Sequence, residues 1–149
     1  MRAVVQRVSQ ASVVIAGETV GQIGRGILVL LGVEDGDTEK DRLYITDRTP
    51  LLRIFNDSDG KMNLSLLDIQ GAMLVISQFT LLGDTRNGRR PCFITAAKPE
   101  TAIPMYERIV ADWKGMGIRV KTGQFGAHMD VGLINDGPVT ILLDSRKRF

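Results

Sequence analysis

Short runs of β-branched and aliphatic residues, separated by short turns of which two contain glycine, fill the beginning of this chain. They lie at residues 4–8, 11–15, 19–23 and 27–33, over lengths typical of β-strands. Four such runs in close succession predict a meander of four strands. This pattern restricts the fold to a β-rich one before any other part of the sequence is considered.

Helical periodicity follows the meander. Residues 38–52 place apolar side chains among charged ones, and we expect a helix there with Asp37 or Thr38 as its N-terminal cap. Pro50 should end or bend this helix, because proline lacks the backbone N–H that a helix interior needs.

A second helix is predicted further along the chain. Its apolar residues recur every three or four positions: Ile103, Tyr106, Ile109, Val110 and Trp113. We expect Thr101 to cap this helix, which leaves Pro104 in the first turn, where backbone donors have no intrahelical partner. Gly115 and Gly117 should end it.

The remaining apolar runs read as further strands. They lie at residues 53–55, 72–76, 118–122, 131–134 and 139–143. With many strands and two main helices, the sequence predicts an α+β fold: mostly antiparallel sheets form a barrel-like core, and both helices pack against it. The 149 residues show no internal repeat and no linker, so we expect residues 1–149 to form a single domain.

Composition narrows the class of protein. Hydrophobic residues make up 44% and charged residues 24% of the chain, as in an ordinary globular protein. No apolar run approaches the length of a membrane span, and the first residues lead into a strand and not into a signal peptide. Together with the single Cys92, this predicts a cytoplasmic protein with no membrane partner.

The small numbers of histidine and cysteine residues make several catalytic mechanisms improbable. His128 and Cys92 each stand alone, so the sequence predicts neither a metal site nor a cofactor, and a catalytic triad would have to use His128. The glycine-rich residues 21–26 match no nucleotide-binding loop. Catalysis would then rest on hydroxyls, backbone groups or the substrate. Two basic clusters, at Arg86, Arg89 and Arg90 and at 146–148, suit either phosphate contacts or a solvated loop and tail.

Two segments place polar or conformationally special residues at the ends of apolar runs. Ser77-Gln78-Phe79-Thr80-Leu81 follows the strand predicted at 72–76. Gly137-Pro138, within Asn135-Asp136-Gly137-Pro138-Val139-Thr140, falls between two predicted strands. Since proline cannot donate to a strand ladder, Gly137-Pro138 is either a rigid turn or an exposed piece of backbone.

These segments, in order with several others, resemble the D-aminoacyl-tRNA deacylase family along the whole chain. The other matching motifs are Met1-Arg2-Ala3-Val4-Val5-Gln6-Arg7-Val8, Leu52-Arg53-Ile54-Phe55, Gly60-Lys61-Met62-Asn63, Gly88-Arg89-Arg90-Pro91 and Phe125-Gly126-Ala127. The resemblance implies a β-rich homodimer with its site at the subunit interface. It implies hydrolysis of the ester that joins a D-amino acid, or glycine mischarged on tRNA(Ala), to the terminal adenosine of tRNA. Aminoacyl-tRNA is thus the expected partner, and DNA is not.

The resemblance also implies roles for individual residues. A cis peptide at Gly137-Pro138 would reach the partner subunit's pocket, bind the α-amino group with its carbonyls and reject L-amino acids. Ser77 and Gln78 would help to hold the ester or a water molecule, while the N–H groups of Phe79 and Thr80 stabilise the oxyanion. Phe125 and Met129 would bind adenine, and Arg7 would anchor the Gly-Pro loop.

Alternatives remain open for several of these residues. Thr80 is a candidate nucleophile, although no base can be assigned to it, so we expect water to attack with help from the 2′-hydroxyl of the substrate. Met129 is equally consistent with an ordinary core residue, and Arg7 with a surface ion pair. At the level of the whole chain, the alternatives are a non-catalytic RNA-binding β-domain and a structural dimer.

Overall fold

The computed structural model describes residues 1–149 as eight strands and two α-helices. The strands are β1 (Arg2–Ile15), β2 (Glu18–Ile23), β3 (Gly26–Gly32), β4 (Phe55–Asn56), β5 (Met62–Leu64), β6 (Ala72–Ser77), β7 (Arg119–Thr122) and β8 (Asp130–Asp144). The helices are α1 (Glu39–Arg48) and α2 (Pro99–Gly115), and short 3₁₀ helices occupy Thr49–Leu51 and Phe79–Leu82. Neither α-helix is long and apolar enough to cross a membrane.

Six strands form one curled sheet in the order β2-β1-β3-β6-β7, with β8 along the outer side of β1. β1 pairs antiparallel with β2, β3 and β8, whereas the β3–β6 and β6–β7 pairs are parallel. The sheet nearly closes where β2 approaches β7. A Cβ atom added at Gly21 would lie 3.0 Å from the carbonyl oxygen of Thr122, so glycine permits this approach. The α+β, barrel-like architecture predicted from the sequence is confirmed.

The strand boundaries differ from the prediction at both ends of the chain. Residues 4–8 and 11–15 belong to one strand, β1, because its two halves pair with β3 and β2 in turn while β8 runs along both. Likewise, residues 131–134 and 139–143 belong to the single strand β8. Predictions that split these strands were wrong, since exposed residues do not interrupt a strand whose hydrogen-bonded partner comes from a distant part of the chain.

Gly137 and Pro138 lie in a bulge of β8. Gln6 pairs with Thr140 and Val8 pairs with Asn135, so residues 136–139 of β8 stand opposite one residue of β1. Gly137 and Pro138 are exposed, and the peptide bond between them is cis, as the family resemblance implies. The segment is therefore an exposed piece of backbone within an edge strand, and the alternative of a turn between two strands is wrong.

Both helices occur where the periodicity predicts them. α1 is capped by Thr38, whose N–H and hydroxyl donate to the Asp41 carboxylate at 2.8 and 2.9 Å, and the chain tightens into a 3₁₀ turn at Pro50. α2 begins at Pro99 after Lys98, so the predicted Thr101 cap is wrong. Proline suits the first helical position because its ring fixes φ and no N–H is needed there.

The core lies on both faces of the sheet. One cluster of 22 buried residues joins the sheet to both helices, and in it Trp113 of α2 is fully buried. The indole N–H of Trp113 donates to the carbonyl of Thr46 at 2.9 Å, which ties α2 to α1. A second cluster of eight buried residues comes from strands only and fills the inside of the curl. The helices thus support the outer face of β3 and β6, the strands that lead to the site.

Candidate active site

A cavity of about 210 Å³ lies where the parallel strands β3 and β6 end. Ser77, the last residue of β6, pairs with Leu31 of β3, and both line the cavity. The other walls come from residues 78–80, from α2 and from residues 125–129. Most of the lining is apolar, with a few polar groups, as is common for small-molecule sites.

Residues 77–80 turn sharply from β6 into the 3₁₀ helix. The N–H of Gln78 completes the sheet by donating to the carbonyl of Leu31 at 2.8 Å. The next two N–H groups, of Phe79 and Thr80, are the first two of the 3₁₀ helix and have no intrahelical partner, because no helical carbonyl precedes them to accept a hydrogen bond. Phe79 and Thr80 are exposed residues on the cavity wall. Two adjacent N–H groups at the start of a helix that lie at a cavity are suited to bind a carbonyl oxygen or an oxyanion.

The Thr80 hydroxyl is paired with an amide and not with a base. The Nε2 atom of Gln78 donates to Thr80 Oγ1 at 3.1 Å, and the hydroxyl has no hydrogen bond to a histidine or a carboxylate. The side chain of His128 is 94% exposed, and its Nε2 lies 3.6 Å from Asp130. The structure therefore provides no proton acceptor next to Thr80.

Phe125 and Met129 form another part of the cavity wall. Phe125 packs edge to face against Tyr106 of α2, with ring centroids 6.2 Å apart. The sulfur of Met129 covers Gly123, where a Cβ atom would lie only 2.3 Å from it. Both side chains also touch the hydrophobic core. They are accordingly core residues at one end and cavity residues at the other.

Tyr106 lines the cavity, whereas the sequence pattern placed it only on the apolar face of the second helix. Its hydroxyl donates to the carbonyl of Val75 at 2.9 Å, and burial raises its pKa above the ordinary value for tyrosine. A neutral phenol held this way shapes the cavity and is not poised to exchange a proton. Helical spacing alone could not separate this position from the buried ones beside it.

Arg7 joins the β8 bulge to the rest of the molecule. It is 7% exposed, its Nε donates to the carbonyl of Asp136 at 2.8 Å, and its Nη1 donates to the carbonyl of Ile54 at 2.6 Å. The Asp136 carboxylate also lies 3.4 Å from Nε. Arg7 is thus a buried residue that contacts both the backbone and the carboxylate of Asp136 in this loop, and the alternative of a surface ion pair does not describe it.

The bulge is fixed from its own strand as well. Asn135 accepts a hydrogen bond from the N–H of Val139 at 2.9 Å and donates to Thr140 at 3.1 Å. Gly137 has φ near +143°, and an added Cβ atom would meet Val139 at 2.7 Å. Glycine is therefore required at this position.

The predicted site residues fall into two groups. Six of them line the cavity: Ser77, Gln78, Phe79, Thr80, Phe125 and Met129. Arg7, Gly137 and Pro138 do not line it. Within one chain the two segments are therefore not walls of a common pocket.

The second basic cluster, at residues 146–148, is mostly neutralised. Arg148 donates to Glu34 at 2.8 Å and to Asp144 at 2.9 Å, and Arg146 donates to Asp37 at 3.1 Å. Burial acts to raise the pKa of Glu34 and of Asp144, but hydrogen bonds and charge from the arginines outweigh it and lower both pKa values. The cluster is an ion-pair network, and the alternative of a solvated tail does not describe Arg146 and Arg148.

Comparison with known proteins agrees with this architecture. The model of the family described as D-Tyr-tRNA(Tyr) deacylase matches residues 4–144. D-aminoacyl-tRNA deacylases of Desulfitobacterium hafniense and Thermotoga petrophila are 56% and 57% identical over 149 residues, and that of Natranaerobius thermophilus is 59% identical over 150 residues. In all three cases the alignment covers 100% of both chains.

Two solved structures share the fold. The c-Myc DNA Unwinding Element Binding Protein aligns with a TM-score of 0.91 at 42% identity, over 97% of this chain and 98% of its own. A probable eukaryotic D-amino acid tRNA deacylase aligns with a TM-score of 0.77 at 17% identity, over 95% and 97% of the two chains, which shows the fold alone.

The protein has a barrel-like α+β fold, and polar residues at the end of strand β6 line a mostly apolar cavity. The chain belongs to the D-Tyr-tRNA(Tyr) deacylase family, a family of hydrolases that act on an ester bond. The family resemblance predicted from the ordered motifs is confirmed.

Proposed function

We propose that this protein hydrolyses the ester bond of D-aminoacyl-tRNA and of glycyl-tRNA mischarged on tRNA(Ala), releasing the amino acid and free tRNA in the cytoplasm. Family membership supports the class of reaction. The observation that carries the proposal for this site is that the first two N–H groups of the 3₁₀ helix, of Phe79 and Thr80, have no intrahelical partner and lie at the cavity. An ester carbonyl held there gains two hydrogen bonds that strengthen as its oxygen becomes negative.

Water is the proposed nucleophile. It adds to the ester carbonyl carbon, the bond to the ribose 3′-oxygen breaks, and the proton lost by the water passes to that oxygen. Because no base lies beside Thr80, the neighbouring ribose 2′-hydroxyl orients the water and relays the proton. The hydrogen bond between Gln78 and Thr80 fixes two polar side chains on the cavity wall, and the water and the ester are held beside them. Ser77, at the end of β6, adds a third polar side chain to this wall.

Phe125 and Met129 are proposed to hold the terminal adenine. An aromatic ring and a polarizable thioether bind the face of a base without reading its sequence, which suits the common end of all tRNAs. Tyr106 supports this wall because it packs on Phe125 while its hydroxyl is already satisfied.

The proposed site is completed by Gly137-Pro138 of a second subunit. In its own chain this segment is exposed and away from the cavity, yet it is held firmly by Arg7 and Asn135, as a part that acts on another molecule must be. Its carbonyls would accept hydrogen bonds from the α-ammonium group. An L side chain would meet the backbone there, a D side chain would point away, and glycine would fit in either case.

The edge strand β8 supports the proposed homodimer. It pairs only with β1 on one side, and Leu133, Ile134 and Leu142 along it are 37%, 53% and 56% exposed. A long edge with exposed apolar residues is a surface that soluble proteins normally cover. A second copy of the same edge would cover it symmetrically.

The first test is turnover. Purified protein is mixed with D-Tyr-tRNA, and loss of the ester is followed beside binding of the same tRNA. We expect multiple turnovers per subunit. Binding without ester loss would instead support the alternative of a non-catalytic RNA-binding β-domain, and neither binding nor ester loss would support a structural dimer.

A further inference from the structure

A basic hairpin, residues 83–97, projects from the wall of the cavity. Asp84 and Cys92 exchange two backbone hydrogen bonds, of 2.8 and 2.9 Å, which close its stem. Asp84 also accepts from the N–H of Arg86 at 3.0 Å, and Gly88 donates to Thr85 at 3.2 Å. The hairpin is therefore a defined structure with its own hydrogen bonds.

Both ends of the basic hairpin are built into the site. It starts directly after the 3₁₀ helix that carries Phe79 and Thr80, and it ends at Ala97, which lines the cavity. Phe93 in its returning arm packs edge to face on Phe79, with ring centroids 5.1 Å apart. The tip lies five residues beyond Asp84, so chain length keeps Arg89 within about 18 Å of the stem.

Of the three arginines in the basic hairpin, only Arg86 has a partner within the protein. Arg86 is paired with the Asp84 carboxylate at 2.6 Å. Arg89 and Arg90 are exposed, and neither makes an ion pair or a side-chain hydrogen bond. The contrast with Arg146 and Arg148 is informative, because those arginines are held by buried carboxylates.

We propose that Arg89 and Arg90 bind backbone phosphates of the single-stranded 3′ end of tRNA, next to the terminal nucleotide in the cavity. This inference rests on the proposed function, since it assigns the surface that grips the same substrate outside the pocket. Guanidinium groups match phosphate oxygens in charge and geometry. Two neighbouring arginines on a rigid hairpin beside a nucleoside-sized cavity fit a strand that leaves the cavity.

The test compares two substrates and two double variants. R89A/R90A removes the charges from the hairpin, and K114A/R119A removes equal charge from exposed positions at the far end of α2 and the start of β7. Each protein is assayed on D-Tyr-tRNA and on D-tyrosyl-adenosine, which has no phosphate. Binding of uncharged tRNA is measured as a function of salt.

For R89A/R90A we expect kcat/KM on D-Tyr-tRNA to fall at least about tenfold while activity on D-tyrosyl-adenosine stays within about twofold. The slope of log K against log salt should decrease by about 1.4, which is about 0.7 for each phosphate contact to a single strand. K114A/R119A should match the wild type in every measurement.

Three results would overturn the inference: unchanged tRNA binding and kinetics in R89A/R90A, equal losses on both substrates, or an equal loss in K114A/R119A. Failure of the proposed function is distinguishable, because the wild type would then leave D-tyrosyl-adenosine and D-Tyr-tRNA intact. Binding of uncharged tRNA would still report on the arginines in that case.

Discussion

Thr80 lies on the cavity wall with its hydroxyl held by the Gln78 amide. This arrangement positions an oxygen but does not ionise it, because an amide N–H donates a proton and takes none. If water attacks, Thr80→Ala should keep activity within about fivefold of wild type, whereas loss of a nucleophile costs about 10³-fold or more. Single-turnover hydrolysis of D-Tyr-tRNA measures this, with Thr80→Val as the control that keeps the shape. A loss near 10³-fold with intact tRNA binding would restore the nucleophile role.

The proposed proton relay depends on a single group of the substrate, the ribose 2′-hydroxyl. With no histidine or carboxylate at Thr80, the proton relay is assigned to the ribose 2′-hydroxyl. A tRNA that ends in 2′-deoxyadenosine and carries D-tyrosine on its 3′-oxygen should react about 10²-fold more slowly, which is the usual size of a lost general acid or base. The chemical step is measured with enzyme in excess. Full activity on this substrate would remove the 2′-hydroxyl from the mechanism.

At the scale of elements, an ion-pair network joins the start of β1, α1 and the end of β8. Asp41 lies beside this network: burial acts to raise its pKa, but hydrogen bonds from Ser145 and Thr38 and the charge of the Met1 ammonium lower it to about 2. A depressed folded-state pKa means that the carboxylate stabilises the fold above its ordinary pKa. That contribution is lost as pH falls from its ordinary value of 3.8 toward 2.

Asp41→Asn should therefore lower the free energy of unfolding by about 1–2 kcal/mol at pH 7, after allowance for solvent screening. The difference from wild type should shrink as the pH is lowered from 5 to 2. Urea unfolding at several pH values measures it. Asp59→Asn, at an exposed residue, is the matched control and should change stability by less than about 0.5 kcal/mol. A deficit that is the same at every pH would contradict the assignment.

At the scale of the whole molecule, the proposed active unit is a dimer built on β8. Ile134→Glu places a charge among the exposed apolar residues of that edge and should give monomers. Deacylation should fall at least about 100-fold where the protein is monomeric, because the second wall of the site is then absent. Light scattering after size-exclusion chromatography and the D-Tyr-tRNA assay measure the two effects. Val20→Glu, at an apolar residue of β2 that is 49% exposed, is the control.

An Ile134→Glu monomer with full activity would contradict the composite site. A dimer with full activity would show that this edge is not the interface. Loss of activity in the Val20→Glu control would point to a general effect of added charge.

Structural features that depend on residues close together in the chain were predicted best from the sequence. The Thr38 cap, the turn at Pro50 and the end of α2 near Gly115 were predicted correctly, because capping and proline effects act within a few residues. The start of α2 at Pro99 was missed in favour of a cap at Thr101, although both signals were present in the sequence.

Long-range pairing set the limits of prediction. β1 continues through exposed residues because β8, from the other end of the chain, runs beside it. Arg146 and Arg148 pair with carboxylates more than 100 residues away in the sequence. Their ion pairs could therefore not be predicted from the sequence of the tail alone. Six predicted site residues meet at the cavity, whereas Gly137-Pro138 lies outside the cavity of its own chain, so its proposed role depends on a second chain that one sequence does not describe.

The most direct test of stereospecific deacylation is the ratio of hydrolysis rates for D-Tyr-tRNA and L-Tyr-tRNA at equal enzyme concentration. A backbone wall that excludes L side chains predicts loss of the D ester at least about 10²-fold faster than the L ester. Equal loss of both esters, or loss of neither, would contradict stereospecific deacylation by this protein.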